Sequence, residues 1–141
     1  MHGRFPFQIL AKYPHMKPED VAVWERFIIK NPTFLDRCDY DVCCGEGAPQ
    51  NPEHSENIQA DGKILTQKKI DVIGYKKDLV CIIEVKPIAN MRALGQILTY
   101  RKLFMRDHPE HQEIQPMIVC REIERELGEL FLENGIIVET A

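Results

Sequence analysis

Long apolar runs are missing from this chain of 141 residues: the longest, residues 79–83, has five residues, against the roughly 20 that a bilayer-spanning helix needs. A transmembrane helix is therefore not expected. Excess positive charge is missing too, since 18 Lys and Arg face 22 Asp and Glu for a net charge of −4. That balance argues against a protein that coats nucleic acid or membranes by bulk electrostatics. Glycine and proline are ordinary, at 8 and 9 residues, which excludes collagen-like and mucin-like chains. There is no internal repeat, no low-complexity tract, no Gly-rich phosphate loop and no nucleophile elbow, which lowers the odds of an NTPase or a serine hydrolase. Residues 1–7 lack the basic region and long apolar core of a secretion signal, so the expected location is the cytoplasm, with the five cysteines as thiols.

What is present suits one folded domain over residues 1–141: 44% of residues are apolar and 28% charged, enough for a core. The expected organisation is an N-terminal arm at 5–17, a core at 18–141 and, inside it, a long Gly-, Pro- and Asn-rich loop at 45–66. Charge is unevenly spread. Between Lys68 and Arg106 nine basic residues face three acids, a local sum of +6, so the other 102 residues carry −10. A basic centre in an acidic chain suits a local polyanion site, and solvated lysines at strand ends account for it about as well.

Pro18, Glu19 and Asp20 are first-turn residues of a helix, and Val21, Trp24, Phe27 and Ile28 follow at helical spacing, which predicts a helix over 18–30. A strand is expected over 38–44, with Tyr40 and Val42 on one face. Residues 69–75 and 79–86 are β-branched runs around a tight turn, a hairpin whose second strand is apolar on both faces and hence central and covered on each side. Pro87 is expected to end that strand and Asn90 to cap a helix to about Arg106. A strand over 116–120, a helix from about Glu122 with Ile123, Leu127, Leu130 and Phe131 on one face, and a last strand over 136–138 complete the order. The fold class is α/β, with a central mixed sheet of four to five strands flanked by helices.

Antiparallel pairing in the hairpin returns Asp71, at the start of one strand, to the end of the other, where Glu84 and Lys86 stand. Val80, Ile82, Glu84 and Lys86 share a face, so two charged groups end an apolar row beneath a helix, a costly position without a partner. Close carboxylates repel unless one takes a proton or a divalent cation holds both. Mg²⁺ suits oxygen donors, and Lys86 can support charge developing on a transferring phosphate. The E-x-K triplet alone is weak evidence, since 14 Glu and 10 Lys produce about one by chance; the pairing of strand ends discriminates. Its bland counterpart is an exposed Glu84–Lys86 ion pair at a sheet edge. Glu25 lies between Val21 and Ile29 on the arc of Ile28 and Ala22, toward the expected core, for a second metal ion or for a pairing with Arg26 or Lys30. Gln96 and Tyr100 lie four apart and border the face of Ala93, Ile97 and Phe104, next to a polar stripe of Arg92, Thr99, Lys102 and Arg106. The cysteine spacing matches no zinc knuckle; Cys81 and Cys120 read as core, and His108 with His111 as a surface turn.

The run KKIDVIGY, then VCIIEVKP, then a helix containing LGQILTY resembles the PD-(D/E)XK nuclease superfamily, whose fold is restriction-endonuclease-like. The resemblance covers residues 71–100 well and the region from the first helix to the 116–120 strand more loosely. It implies Mg²⁺, with Mn²⁺ as substitute, bound by Asp71, Glu84 and the Val85 carbonyl, and the lysine role on Lys86. It further implies Glu25 as the acid of the first core helix and Gln96 with Tyr100 as the Gln-x-x-x-Tyr pair. Ile70 stands where the pattern has proline. Lys68, Lys69, Arg92, Lys102 and Arg106 are the candidate nucleic-acid contacts. The leading expectation is a Mg²⁺-dependent endonuclease acting on nucleic acid, DNA before RNA, with no membrane partner, as a homodimer or a subunit of a larger complex. The alternatives are an inactive nucleic-acid-binding or assembly module of the same fold and an effector acting on RNA.

Overall fold

The computed structural model describes residues 3–111 and 113–141; the very start of the segment read for a secretion signal lies outside them. β1 (Phe5–Pro6), β2 (Arg37–Cys44), β3 (Lys68–Lys76), β4 (Leu79–Ala89), β5 (Ile114–Ile123) and β6 (Ile137–Thr140) form one six-stranded sheet in chain order. The first four strands pair antiparallel; β5 and β6 add in parallel, through crossovers that contain α3 (Met91–Asp107) and α4 (Gly128–Glu133). The sheet is mixed, as expected, but has six strands rather than four to five, because the N-terminal arm contributes β1, a two-residue edge strand of weak sequence signal.

Each face is covered. On one, α1 (Pro18–Lys30) buries Val23, Trp24, Phe27 and Ile28 against Tyr40, Val72, Ile83, Val85, Met117 and Val119. Trp24 donates its indole N–H to the Tyr40 hydroxyl at 3.0 Å, so the polar edge of a fully buried ring is satisfied. On the other face, α3 packs Ala93, Ile97 and Phe104 onto Ile70, Ile73, Ile82, Ile118 and Cys120. The Asn90 side chain caps α3 by accepting from the Ala93 N–H at 2.9 Å. β4 supplies both cores, alternating Val80 and Ile82 with Cys81, Ile83 and Val85, which makes it the doubly covered strand its composition predicts.

Four local expectations are corrected. Segment 45–66 is not all loop: α2 (Glu56–Thr66) occupies its second half, capped by Ser55, whose hydroxyl accepts from the Ile58 N–H at 3.3 Å. No residue of α2 is buried, and Ile58 and Leu65 are exposed, so it leaves no core-facing stripe to read. β4 does not stop at Pro87 but runs to Ala89 beside β5. Beyond Ile83 its other side carries no β3 pairing, so the missing N–H costs no ladder bond. That extension also draws Glu122 and Ile123 into β5, leaving α4 only six residues. Finally, Tyr40 and Val42 face opposite cores. Register is continuous from Tyr40↔Val72 to Val42↔Ile70, and between them Asp41 and Asp71 stand opposite each other outside the ladder, Asp41 in the left-handed region at φ 53°.

Candidate active site

The β3–β4 ladder runs from Lys76↔Leu79 to Val72↔Ile83 and ends there. The next opposing residues are Asp71 and Glu84, and their side chains replace the missing backbone bonds. The Asp71 carboxylate accepts from the Val85 N–H at 2.9 Å, and the Asp71 N–H donates to Glu84 Oε1 at 3.4 Å. The two carboxyl groups are close enough for each to influence the ionisation of the other. Glu84 is 2% exposed, the one buried charged residue among the described residues. Burial first, and the Asp71 charge second, push its pKa well above the usual carboxyl range; burial also raises Asp71. Lys86 Nζ stands 3.9 Å from Glu84 Oε2, which partly offsets the negative charge.

From α3, Gln96 Nε2 donates to the Tyr100 hydroxyl at 3.4 Å. Burial and then the Glu84 charge raise the Tyr100 pKa, which places its phenol within electrostatic reach of the pair. Gln96 Oε1 is buried without a hydrogen-bond partner among the described residues. A buried amide oxygen left unpaired is costly. Asp71, Glu84, Lys86, Gln96 and Tyr100 are thus brought together.

Glu25 is not. The buried stripe of α1 is Val23, Trp24, Phe27 and Ile28, whereas Ile29 is 67% exposed, so the arc drawn from Val21 to Ile29 was not the core side. The Glu25 carboxylate accepts from the Tyr13 hydroxyl at 3.1 Å, in the arm. The α1 acid coupled to the site is Asp20: burial raises its pKa first, and the Asp71 charge next, while Lys86 lowers it. Its spacing held the signal, because Asp20 precedes Val23 and Trp24 by three and four positions and so shares their face. Asp41 is the second residue missed; its charge contributes to raising the Asp71 pKa. Its position opposite Asp71 follows from pairing that no local pattern encodes.

Of the basic candidates, Lys68 and Arg106 share one flank. A cleft of about 500 Å³ next to β3 is lined by Gly45, Gly47, Lys68, Leu103, Arg106 and Asp107, among others. Arg92, Lys102 and Arg106 are exposed along α3, and Lys69 is half-buried on β3. All five cysteines are free thiols, with Cys38, Cys44, Cys81 and Cys120 buried.

Among the described residues, no three of His, Cys, Asp and Glu converge into a ready-made metal cluster. The donors that do meet are two carboxyls and, because N–H and C=O of one strand residue project to the same side, the Val85 carbonyl on the Asp71 edge. All are hard oxygens, the set that suits Mg²⁺, an ion that keeps several waters and takes few protein ligands. The residues fit the ion.

A mixed six-stranded sheet with helices on both faces, its antiparallel strands followed by parallel ones, is the fold of restriction-endonuclease-like nucleases. One structure that shares it is that of an EndoMS–dsDNA2 complex, at TM-score 0.52 and 12% identity over 94% of this chain and 48% of that one. A repair endonuclease from Pyrococcus abyssi is similar at TM-score 0.49 and 14% identity, over 93% of this chain and 49% of that one. The chain spans about half the length of these two relatives. No protein-family model matches it, and no curated protein matches it by sequence. No helix among the described residues is long and apolar enough to cross a membrane.

Proposed function

We propose that the chain is a metal-dependent nuclease that hydrolyses phosphodiester bonds, with DNA the first candidate substrate. The observation that carries the reading is the carboxyl pair: Glu84 is buried against Asp71 and Lys86 where the β3–β4 ladder stops. Burial of such a pair costs stability, and nothing in the packing of the sheet calls for it. A bound Mg²⁺ or Mn²⁺, held by Asp71, Glu84 and the Val85 carbonyl, would polarise the phosphoryl group and stabilise its developing charge.

The chain's own groups do the rest. Glu84 releases its proton before it can hold a cation. Lys86 presents its ammonium beside the carboxylates, where it orients the attacking water and faces charge developing on phosphorus. The unpaired Gln96 oxygen accepts a hydrogen bond from that water or from the Lys86 ammonium, and the Tyr100 hydroxyl donates to a phosphate oxygen of the substrate backbone. Lys68 and Arg106 hold phosphates on the cleft flank. A single centre of this kind cuts one strand, so cleavage of both strands would call for a second copy or a partner subunit.

The test is cleavage of single-stranded, duplex and branched DNA, and of RNA, in Mg²⁺ and Mn²⁺ with a chelator control. Wild type is expected to cut and Lys86→Ala to fail. If the two behave alike, the enzymatic reading is wrong, and an inactive nucleic-acid-binding module of this fold is what remains.

A further inference from the structure

Residues 3–18 contain no Asp or Glu, and they carry Arg4, Lys12, His15 and Lys17 in a chain that is acidic overall. The arm they form delivers one of these residues to the site. His15 Nε2 stands 3.7 Å from the Asp41 carboxylate, and Asp41 is the residue opposite Asp71 in the β2–β3 register. Both members of this pair adopt left-handed backbone, His15 at φ 51° and Asp41 at φ 53°. Non-glycine residues adopt that region at a cost, and such strain concentrates where function demands a particular side chain. The packing does not demand His15: its side chain is 76% exposed, whereas Asp41's is 21% exposed.

The electrostatic setting says what an exposed imidazole does here. Asp20, Asp41 and Glu84 each interact electrostatically with Asp71, and Lys86 is the cation that acts on Asp20, Asp71 and Glu84. The cleft flank has Lys68 and Arg106 to receive a polyanion. Of the acids, Asp41 is the one the arm meets with a donor, His15. Resting on the nuclease reading above, we infer that His15, held beside Asp41, contacts a phosphate of the substrate strand on the flank opposite Lys68 and Arg106. Asp41 acts through it as a positioning residue, and Lys12 and Lys17, both exposed, add attraction without geometry.

The strain separates this role from a structural one. His15→Asn and His15→Gly both suit left-handed backbone better than histidine, so a purely structural His15 predicts equal or higher thermal stability and unchanged substrate handling. The experiment measures binding of a fluorescein-labelled 20-nucleotide DNA in EDTA by anisotropy, cleavage of the same DNA in Mg²⁺, and melting. The expected result for both variants is a melting temperature at or above wild type, with Kd and KM raised roughly fivefold, kcat within about twofold, and partial recovery in His15→Lys, as expected of a phosphate contact. If His15→Asn binds and cleaves like wild type, the inference is overturned while the nuclease reading stands. If wild type itself neither binds nor cleaves the DNA, the nuclease reading fails and this contact fails with it.

Discussion

The two ends of the β3–β4 hairpin are made from the same kind of β-branched strand yet solve opposite problems. At the turn end the ladder is complete through Lys76↔Leu79, and the charges are exposed and shared: Asp36 accepts from the Lys77 N–H at 3.1 Å and pairs with Lys76 at 3.3 Å. At the other end the ladder stops at Val72↔Ile83, and the polar groups of Asp71 and Glu84 stand in for backbone partners inside the core. Exposed pairs of the first kind contribute little in either direction. A buried pair of the second kind is a net cost that packing alone does not recover. The contrast teaches where in this fold stability has been given up, and therefore where to look for chemistry.

The sharpest way to break the comparison is to remove charge from each end. Asp71→Asn and Lys86→Ala are expected to lower kcat roughly a thousandfold or more, about 4 kcal/mol, in a Mg²⁺ cleavage assay, with folding retained by circular dichroism. Asp36→Asn at the turn end is expected to leave cleavage unchanged. The fully buried Ile83 forms the last ladder pair before the site, and its truncation to alanine is expected to cost about 3–4 kcal/mol of unfolding free energy by denaturant titration.

Glu84 sharpens the contrast through pH. Burial and the Asp71 charge raise its pKa to about 9 in the folded chain, above the value of about 4.3 of an unfolded chain. The folded state therefore keeps a proton that the unfolded state releases. The stability tied to that proton is intact below the unfolded value and is lost as pH rises through the folded one. In EDTA, the melting temperature is expected to fall as pH goes from 5 to 9. Glu84→Gln removes the ionisable proton, so it is expected to flatten this dependence and to gain about 1–2 kcal/mol at pH 8, roughly 3–8 °C, while abolishing cleavage. A melting curve insensitive to pH in wild type would show that Glu84 titrates normally.

The same division explains how much of the molecule was legible beforehand. α1, α3 with its Asn90 cap, the tight hairpin and the doubly apolar β4 follow from local spacing, and antiparallel pairing brings Asp71 to Glu84 without further information. What escaped is what depends on distant partners. Pro87 stays in β4 because β3 no longer pairs there, and Ile123 is a strand residue because β4 extends beside it. α2 carries Ser55 as a cap but buries nothing, and its apolar residues Ile58, Ile64 and Leu65 stay exposed. On α1, the acid electrostatically coupled to the site is by sequence an ordinary first-turn residue, Asp20, while Glu25 lies off the buried stripe of Val23, Trp24, Phe27 and Ile28. Asp41 has no local mark at all.

The smallest expected effect tests whether strain means the same thing at both ends. Lys77, in the hairpin turn, is left-handed at φ 53°, the same value as Asp41. Its backbone N–H is held by Asp36 whatever the side chain. Lys77→Gly removes the left-handed penalty of a Cβ-bearing residue, and the larger entropy of glycine in the unfolded chain returns part of that gain. The net is an expected stabilisation of about 0.5–1 kcal/mol by denaturant titration, with cleavage unchanged. At His15 the same relief of strain is expected to leave the fold as stable or more so and yet weaken substrate binding. Left-handed backbone at the turn would then be an unoptimised position, and left-handed backbone beside Asp71 one retained for the side chain it presents. Equal behaviour of the two sites, with Lys77→Gly also weakening binding, would erase that distinction.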